Sequence, residues 1–245
     1  MNRDQFKQHF NVKRCAVFIV IHVLDEEQTS RNFQVAMDNG ANGVFLINHD
    51  FDVETFLPII RNVRRDFESQ WMGLNFLGVI GKYAFPKLAD LEASGCRVDG
   101  YWADDARIDE SLSIQNQPEA REILEIKKQV GWNGLYFGGT AFKKQRPVDP
   151  SDYQVSAEIG GHWMDVVTTS GVATGHEPGV DKIDVFRQGV GDQALALASG
   201  ITPENIDQYS TNLDAVLVAT GINRQDDFYN IDPARLQALV EKVNH

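Results

Sequence analysis

Two short turns carry the strongest chemical signal in the chain. Ser199-Gly200 ends the apolar run "ALALASG", and Thr220-Gly221 ends "DAVLVATG". Each sets a small hydroxyl and a glycine directly after a stretch that should be buried. Glycine lets the backbone come close to an anion, and successive N–H groups can then point into one small volume. Thr202-Pro203 starts a helix behind the first turn, adding unsatisfied amides and a positive dipole end. Arg224 could add a bidentate charge. Glu204 works against an anion, because it competes for the same dipole. Tight turns also favour Gly and Ser on conformational grounds alone.

Other residues could move protons. Lys143 follows an apolar run and could serve as a Schiff-base amine, a general base or a counter-charge for phosphate. Its neighbours Lys144 and Arg146 allow a merely solvated basic loop. Asp104 and Asp105 end another run and could hold a general base or a divalent cation, or simply cap a helix. His22 ends the first run, where an imidazole could shuttle a proton. His22, His49, Asp50 and Asp104 are the metal-ligating types on offer. No His-x3-His or Cys-x2-Cys spacing supports a metal, so none is expected. "TTSGV" around Ser170 lacks the Gly-x-Ser-x-Gly pattern of a nucleophile elbow, which argues against a Ser-His-Asp hydrolase.

These residues need a scaffold that gathers loop ends, and the chain repeats one unit that does so. Eight short apolar runs recur: "CAVFIVIH", "NGVFLIN", "MGLNFLG", "DGYWAD", "NGLYFGG", "DVVTTSG", "ALALASG" and "DAVLVATG". Five of them begin at Asn or Asp: Asn42, Asp99, Asn133, Asp165 and Asp214. Segments with helical spacing lie between or after them: 28–39, 53–68, 84–94, 118–130, 150–159, 180–188, 203–209 and 233–243. Four of these start with proline, which suits a first helical position. Asp149, Thr202 and Asp232 precede three of those prolines and should act as N-caps. Gly40, Gly95, Gly131, Gly160 and Gly189 stand where helices should stop. Short strands that are apolar on nearly every position and separated by helices predict a parallel sheet covered on both faces. Eight units without a Gly-x-Gly-x-x-Gly turn favour a single (β/α)8 TIM barrel over an open dinucleotide-binding sheet. The barrel fills residues 1–245, with residues 1–12 as an N-terminal helical extension.

In this fold the C-terminal ends of the strands form the active face. That placement selects His22, Asn48, His49, Asp50, Asn75, Asp104, Asp105, Gly138, Thr140, Lys143, Thr168, Thr169, Ser170, Thr174, Ser199, Gly200, Thr220, Gly221 and Arg224. The two Ser/Thr-Gly turns fall after the seventh and eighth strands, where such barrels often bind phosphate. The irregular stretch 104–117 is long enough to suggest a lid or ligand-binding loop.

Composition narrows the partners. The chain has 245 residues, 42% hydrophobic and 24% charged, with a net charge of −12. No Lys/Arg cluster exceeds two residues, so nucleic acid is not an expected partner. Two cysteines, Cys15 and Cys96, do not make a disulfide framework and read as buried thiols. The start "MNRDQFKQHFNVKR" lacks the apolar core of a signal peptide, and no run is long enough to span a membrane. A cytoplasmic protein is expected, and a homo-oligomer is compatible with this reading.

Several segments resemble the BtpA/SgcQ family, small barrels within the broader ribulose-phosphate-binding set. The likeness runs over roughly residues 12–243 at a divergent level. It is carried by "GANGVFLIN" with Asp52, "GLNFLG", "PEAREILEIKKQVG", "VVTTSGVATG", "ASGITPEN" and "VLVATGI". The family's Thr-Gly-x-x-Thr-Gly theme after strand six corresponds here to Ser170-Gly171-Val172-Ala173-Thr174-Gly175. Its Gly-Ser-Gly-Val-Thr-x-Glu-Asn theme after strand seven corresponds to 198–205. Departures touch chemistry. The first strand keeps His22 but loses the prolines that follow it in the family. The family's Glu-Asn after strand two is Ile47-Asn48 here, its Asp-Val in strand five is Tyr136-Phe137, and its Lys-His pair keeps Lys143 but loses the histidine. One family branch is linked to photosystem I biogenesis and another to sugar metabolism.

The leading expectation is an enzyme acting on a small phosphorylated metabolite, a sugar phosphate or nucleotide-like compound, by proton transfer of the isomerase or lyase kind. Ser199, Gly200, Thr220, Gly221, Arg224, Asn48, Asn75, Ser170 and Thr174 would bind it, and His22, Asp104 and Lys143 would catalyse. No cofactor is called for. Alternatives are a non-catalytic ligand-binding or assembly factor, and phosphoribosyl transfer with Mg2+ held by Asp104 and Asp105.

Overall fold

A computed structural model describes residues 1–143, 145–171, 173 and 175–244. Eight parallel strands close into a barrel in chain order: β1 (Ala16–Val23), β2 (Gly43–Asn48), β3 (Met72–Asn75), β4 (Gly100–Ala103), β5 (Leu135–Gly139), β6 (Val166–Thr169), β7 (Ala194–Leu197) and β8 (Ala215–Val218). Ala16 of β1 registers with Ala215 of β8, closing the seam. Helix α1 (Arg3–Phe10) precedes β1. The outer layer is α2 (Glu26–Asp38), α3 (Val53–Asp66), α4 (Gly81–Ala93), α5 (Pro118–Val130), α6 (Tyr153–Trp163), α7 (Val180–Val190) and α8 (Pro233–Asn244).

Period-two alternation divides the strands' side chains between two apolar clusters. Ala16, Phe18 and Val20 of β1 face the barrel interior with Phe45, Ile47, Trp102, Phe137, Ala194, Ala196 and Leu217. Val17, Ile19, Ile21, Leu195 and Val216 pack outward against the helices. The interior is lopsided. Aromatic rings come from β1, β2, β4 and β5, while β7 and β8 supply mostly alanine. Beneath them Trp71 fills the floor, and a Cβ at Gly43, Gly73 or Gly100 would lie within 3.0 Å of its ring. Phe10 of α1 closes over Trp71 with ring centroids 5.6 Å apart.

The recurrent Asn or Asp before the strands is a latch. Asn42 Oδ1 accepts from Val17 N–H at 2.8 Å, Asp99 Oδ2 from Met72 N–H at 2.9 Å, Asp165 Oδ2 from Tyr136 N–H at 2.8 Å, and Asp214 Oδ2 from Leu195 N–H at 3.0 Å. Each ties the start of one strand to the start of the strand before it, satisfying an amide at the sheet's lower rim. Asn133 departs from the pattern, its side chain donating to the Gly131 carbonyl. Asp214, fully buried, also pairs with Arg3 at 2.8 Å and Arg187 at 3.2 Å.

Two expectations need correction. No α-helix forms over 203–209, where the chain makes turns and one 3-10 turn, Ile206–Gln208. Side chains there bond locally instead: Asn205 Oδ1 accepts from Thr202 N–H, its Nδ2 donates to the Gly200 carbonyl, and Thr202 Oγ1 accepts from Glu204 N–H. Such bonds compete with helical ones. Gly160 and Gly189 lie inside α6 and α7 rather than ending them. A Cβ on Gly189 would meet the Gln154 carbonyl oxygen at 2.4 Å and Ala157 Cβ at 2.7 Å, so this glycine permits close helix–helix contact. The stretch 104–117 is held by side-chain bonds. Gln117 exchanges bonds of 2.8 Å with the backbone of Asp109 in both directions, and Glu110 engages Ser156 and Arg146.

Candidate functional site

At the upper end of the barrel, His22, Asp104 and Lys143 line one cavity together with Ser199, Gly200, Thr220 and Gly221. The cavity itself is small, about 40 Å³, within about 530 Å³ of non-atom space that includes open solvent. The alternation that builds the interior also sets this arrangement. His22 continues the inward series Ala16, Phe18, Val20, and Asp104 continues Gly100, Trp102. The small residues Ala198 and Ala219 leave the room on the β7–β8 side.

His22 is 6% exposed, and its Nδ1 lies 3.1 Å from the carbonyl oxygen of Phe228. A carbonyl only accepts, so Nδ1 is the donor in this contact. The ring stacks on Phe228 with centroids 3.9 Å apart and meets His49 edge-on at 4.7 Å. The loop bearing Phe228 is itself held, since Gln28 and Asn32 of α2 donate to the Tyr229 carbonyl.

Asp104 accepts from Asn75 Nδ2 at 3.1 Å, which orients its carboxylate. Its backbone is pressed against β5. A Cβ on Gly139 would sit 2.0 Å from the Asp104 carbonyl oxygen, so only glycine fits there. Gln145 Nε2 reaches the carbonyls of both residues, at 2.9 and 2.8 Å. Asp105 turns elsewhere: its Oδ1 accepts from Arg107 N–H at 2.7 Å and its Oδ2 pairs with the Arg107 guanidinium at 3.3 Å. The two aspartates therefore do not face the cavity together. Among the described residues no group of three His, Cys, Asp or Glu is placed to hold a metal ion.

Lys143 donates its main-chain N–H to Ser170 Oγ at 2.7 Å. Ser170, fully buried, passes its own hydroxyl to the Gly171 carbonyl at 2.8 Å, so it shapes a loop rather than the cavity wall. Asn48 likewise bridges loop backbone, donating to the Phe51 carbonyl and accepting from Leu77 N–H. Arg224 is exposed, lies outside the cavity lining, and donates its N–H to the Asn230 carbonyl. Thr174 lies outside the described residues.

The two Ser/Thr-Gly turns differ in detail. Ser199 Oγ lies 3.0 Å from the Ala173 carbonyl and 2.7 Å from that of His176, a shared donor that holds the loop after β6. Gly200 takes the left-handed conformation, φ +68°, and a Cβ there would lie 2.2 Å from Glu177 N. Thr220 opens a 3-10 turn, Thr220–Ile222. Among the described residues, the amides of Gly200, Thr220 and Gly221 bond to no carbonyl.

Sequence reasoning missed Trp102, Gln145 and Phe228. Trp102 lines the cavity, and its indole Nε1, like Thr168 Oγ1 on the inner face of β6, has no partner among the described residues. Buried polar atoms without partners are rare. Phe228-Tyr229, an aromatic pair inside the polar stretch "NRQDDFYN", was the available signal. Gln145 gave none.

The fold is that of a TIM barrel. The chain belongs to the BtpA family, whose model matches residues 59–245. A curated relative, "Photosystem I biogenesis protein BtpA" of Synechocystis sp., is 24% identical over 127 residues, spanning 51% of this chain and 44% of that protein. The chain thus matches under half of that relative's length. Among solved structures, the tryptophan synthase alpha subunit of Legionella pneumophila superposes with a TM-score of 0.65 at 16% identity, covering 99% of this chain and 98% of that one. Phosphoribosyl anthranilate isomerase of Thermus thermophilus gives 0.60 at 13%, covering 93% and 98%. Orotidine 5'-monophosphate decarboxylase of Methanocaldococcus jannaschii gives 0.59 at 11%, covering 94% and 98%. At such identities the likeness is one of fold. No helix among the described residues is long and apolar enough to cross a membrane.

Proposed function

We propose that the barrel mouth binds a small phosphorylated metabolite, a sugar phosphate or nucleotide-like compound, and moves a proton on it, as an isomerase or lyase does. One observation carries this reading: both Ser/Thr-Gly turns meet His22, Asp104 and Lys143 around a single cavity. The phosphate rests on the amides of Gly200, Thr220 and Gly221, with Ser199 holding the neighbouring loop in place. Anchoring that end positions the rest of the molecule, and remote binding energy is spent on orientation. Asp104, oriented by Asn75, takes the proton. His22 Nε2 relays it, and Lys143 stabilises the negative charge that develops. Trp102 Nε1 offers a hydrogen bond to the ligand or its water. Two barrels of similar fold are named for phosphorylated compounds, phosphoribosyl anthranilate and orotidine 5'-monophosphate. A cytoplasmic setting belongs to the same reading.

Thermal-shift titration with inorganic phosphate and a set of sugar phosphates, with and without Mg2+, tests it. A ligand at a hundred times its Kd should stabilise by about 2.7 kcal/mol. At ~2–4 °C per kcal/mol this is a shift of roughly 5–11 °C. No stabilisation by any phosphorylated compound would favour the second reading, a non-catalytic ligand-binding or assembly factor. The name of the Synechocystis relative supports that alternative. Phosphoribosyl transfer with Mg2+ on Asp104 and Asp105 gains nothing from the geometry, because Asp105 is engaged by Arg107.

A further inference from the structure

A second cavity opens between the loops after β5 and β6, next to the mouth and sharing Lys143 with it. Its walls include Phe142, Pro147, Val148, Tyr153 and Pro178, and Lys182 lines it from the first turn of α7. Lys182 Nζ donates to the carbonyls of Ala141 and Ser170, each at 2.7 Å. It also lies 4.9 Å from the centroid of the Tyr153 ring and 5.5 Å from that of Phe186. These are neutral partners. They hold an ammonium in place without cancelling its charge. Among the described residues Lys182 forms no ion pair, whereas Arg146 across the cavity is matched by Glu110. Glu177, the one acidic side chain among the described lining residues, is engaged by Asn205 Nδ2. Burial without a counter-charge pushes the Lys182 amine down to about 8. A desolvated cation without a carboxylate is costly, and an anionic ligand removes that cost.

We propose that this cavity is a binding site for a small organic carboxylate with an apolar or aromatic body, its carboxylate on Lys182 and its body against Phe142, Val148 and Tyr153. A carboxylate suits the Lys182 ammonium, and the apolar wall suits a hydrophobic body. The proposal does not rest on phosphate binding at the mouth, although the two cavities share Lys143.

Benzoate, its uncharged analogue benzamide, and inorganic phosphate serve as probes, each titrated into the intact protein and followed by amide NMR shifts. Benzoate should move resonances of 141–148, 170–171 and 178–182, with benzamide weaker by about tenfold or more, since charge-assisted hydrogen bonds are the strong ones. Lys182→Met should weaken benzoate by a similar factor. Because Lys182 also joins two loops, a second variant leaves it intact. Gly179 lines the cavity, and a Cβ there meets nothing within 4 Å, so Gly179→Leu should fold normally and block the site. Equal binding of benzamide and benzoate, unchanged benzoate binding in either variant, or phosphate moving these resonances while benzoate does not would overturn the assignment.

Discussion

Replacing Gly200 by alanine should disturb the mouth through steric clash and left-handed backbone strain together. The new Cβ would lie 2.2 Å from Glu177 N, 2.4 Å from Glu177 Cα and 2.5 Å from His176 C. Comfortable contact needs roughly 3.5 Å, and all three atoms are backbone, so no side-chain rotation relieves the clash. The loop after β6 must retreat by about 1 Å, straining the Ser199 bonds to Ala173 and His176. Left-handed backbone costs an L-residue ~1–2 kcal/mol and overpacking ~1–3 kcal/mol, together about 2–5 kcal/mol. At ~2–4 °C per kcal/mol the Tm should fall by roughly 4–20 °C. Gly131→Ala separates the two costs. Its φ is +74°, but a Cβ there meets nothing within 4 Å, so only the ~1–2 kcal/mol backbone term applies. Calorimetry of both variants, with and without inorganic phosphate, is the assay. Gly200→Ala should lose its phosphate response while Gly131→Ala keeps it. If Gly200→Ala were as mild as Gly131→Ala and still responded to phosphate, the loop packing and the anion site would both be wrongly drawn.

His22→Ala and Lys143→Ala should each abolish turnover of a substrate found by the thermal-shift screen while leaving its Kd within a few-fold; unchanged kcat in both would remove them from the chemistry. Asp214→Ala should cost ~3–5 kcal/mol in urea unfolding, because it strands two arginines and a strand amide around a buried carboxylate site; a loss under 1 kcal/mol would show the network to be idle. Lys182 titrates at about 8 in the fold against an ordinary 10.5. The unfolded chain therefore binds more protons between those values, and stability should rise with pH across that window, the full penalty standing below pH 8. The gap corresponds to about 3 kcal/mol, and subtracting the Lys182→Met stability profile from that of the parent protein should isolate it; parallel profiles would refute the burial argument.

The strands were legible because burial on both faces leaves little room for polar residues within them. "ALALAS" even showed its inward and outward faces, Ala194, Ala196 and Ala198 turning in and Leu195 and Leu197 turning out. The Asn and Asp positions before the strands were visible as a pattern, but their purpose was not, since a latch is defined by the amide it reaches and not by its own neighbours. Helix 203–209 was misread because Pro203 and an N-cap say where a helix can begin, not whether Asn205 will use its side chain to turn the chain instead. The mouth was partly legible: strand ends placed His22, Asp104 and both glycine turns on one face. Which of two adjacent aspartates faces inward depends on strand parity, and Asp104 shares the inward parity of Trp102. Arg224 illustrates the limit, since a loop can fold back and carry a charge away from the site it follows.

The four latches also bear on the order in which the barrel is assembled. Each joins residues close in sequence, with separations of 25, 27, 29 and 19. The seam is different: Arg3 meets Asp214 across 211 residues. Loop-closure entropy makes short-range contacts cheaper to form first. Adjacent βα units should therefore zip together early, and union of β1 with β8 should come last, with Asp214 serving both a local latch and the final closure.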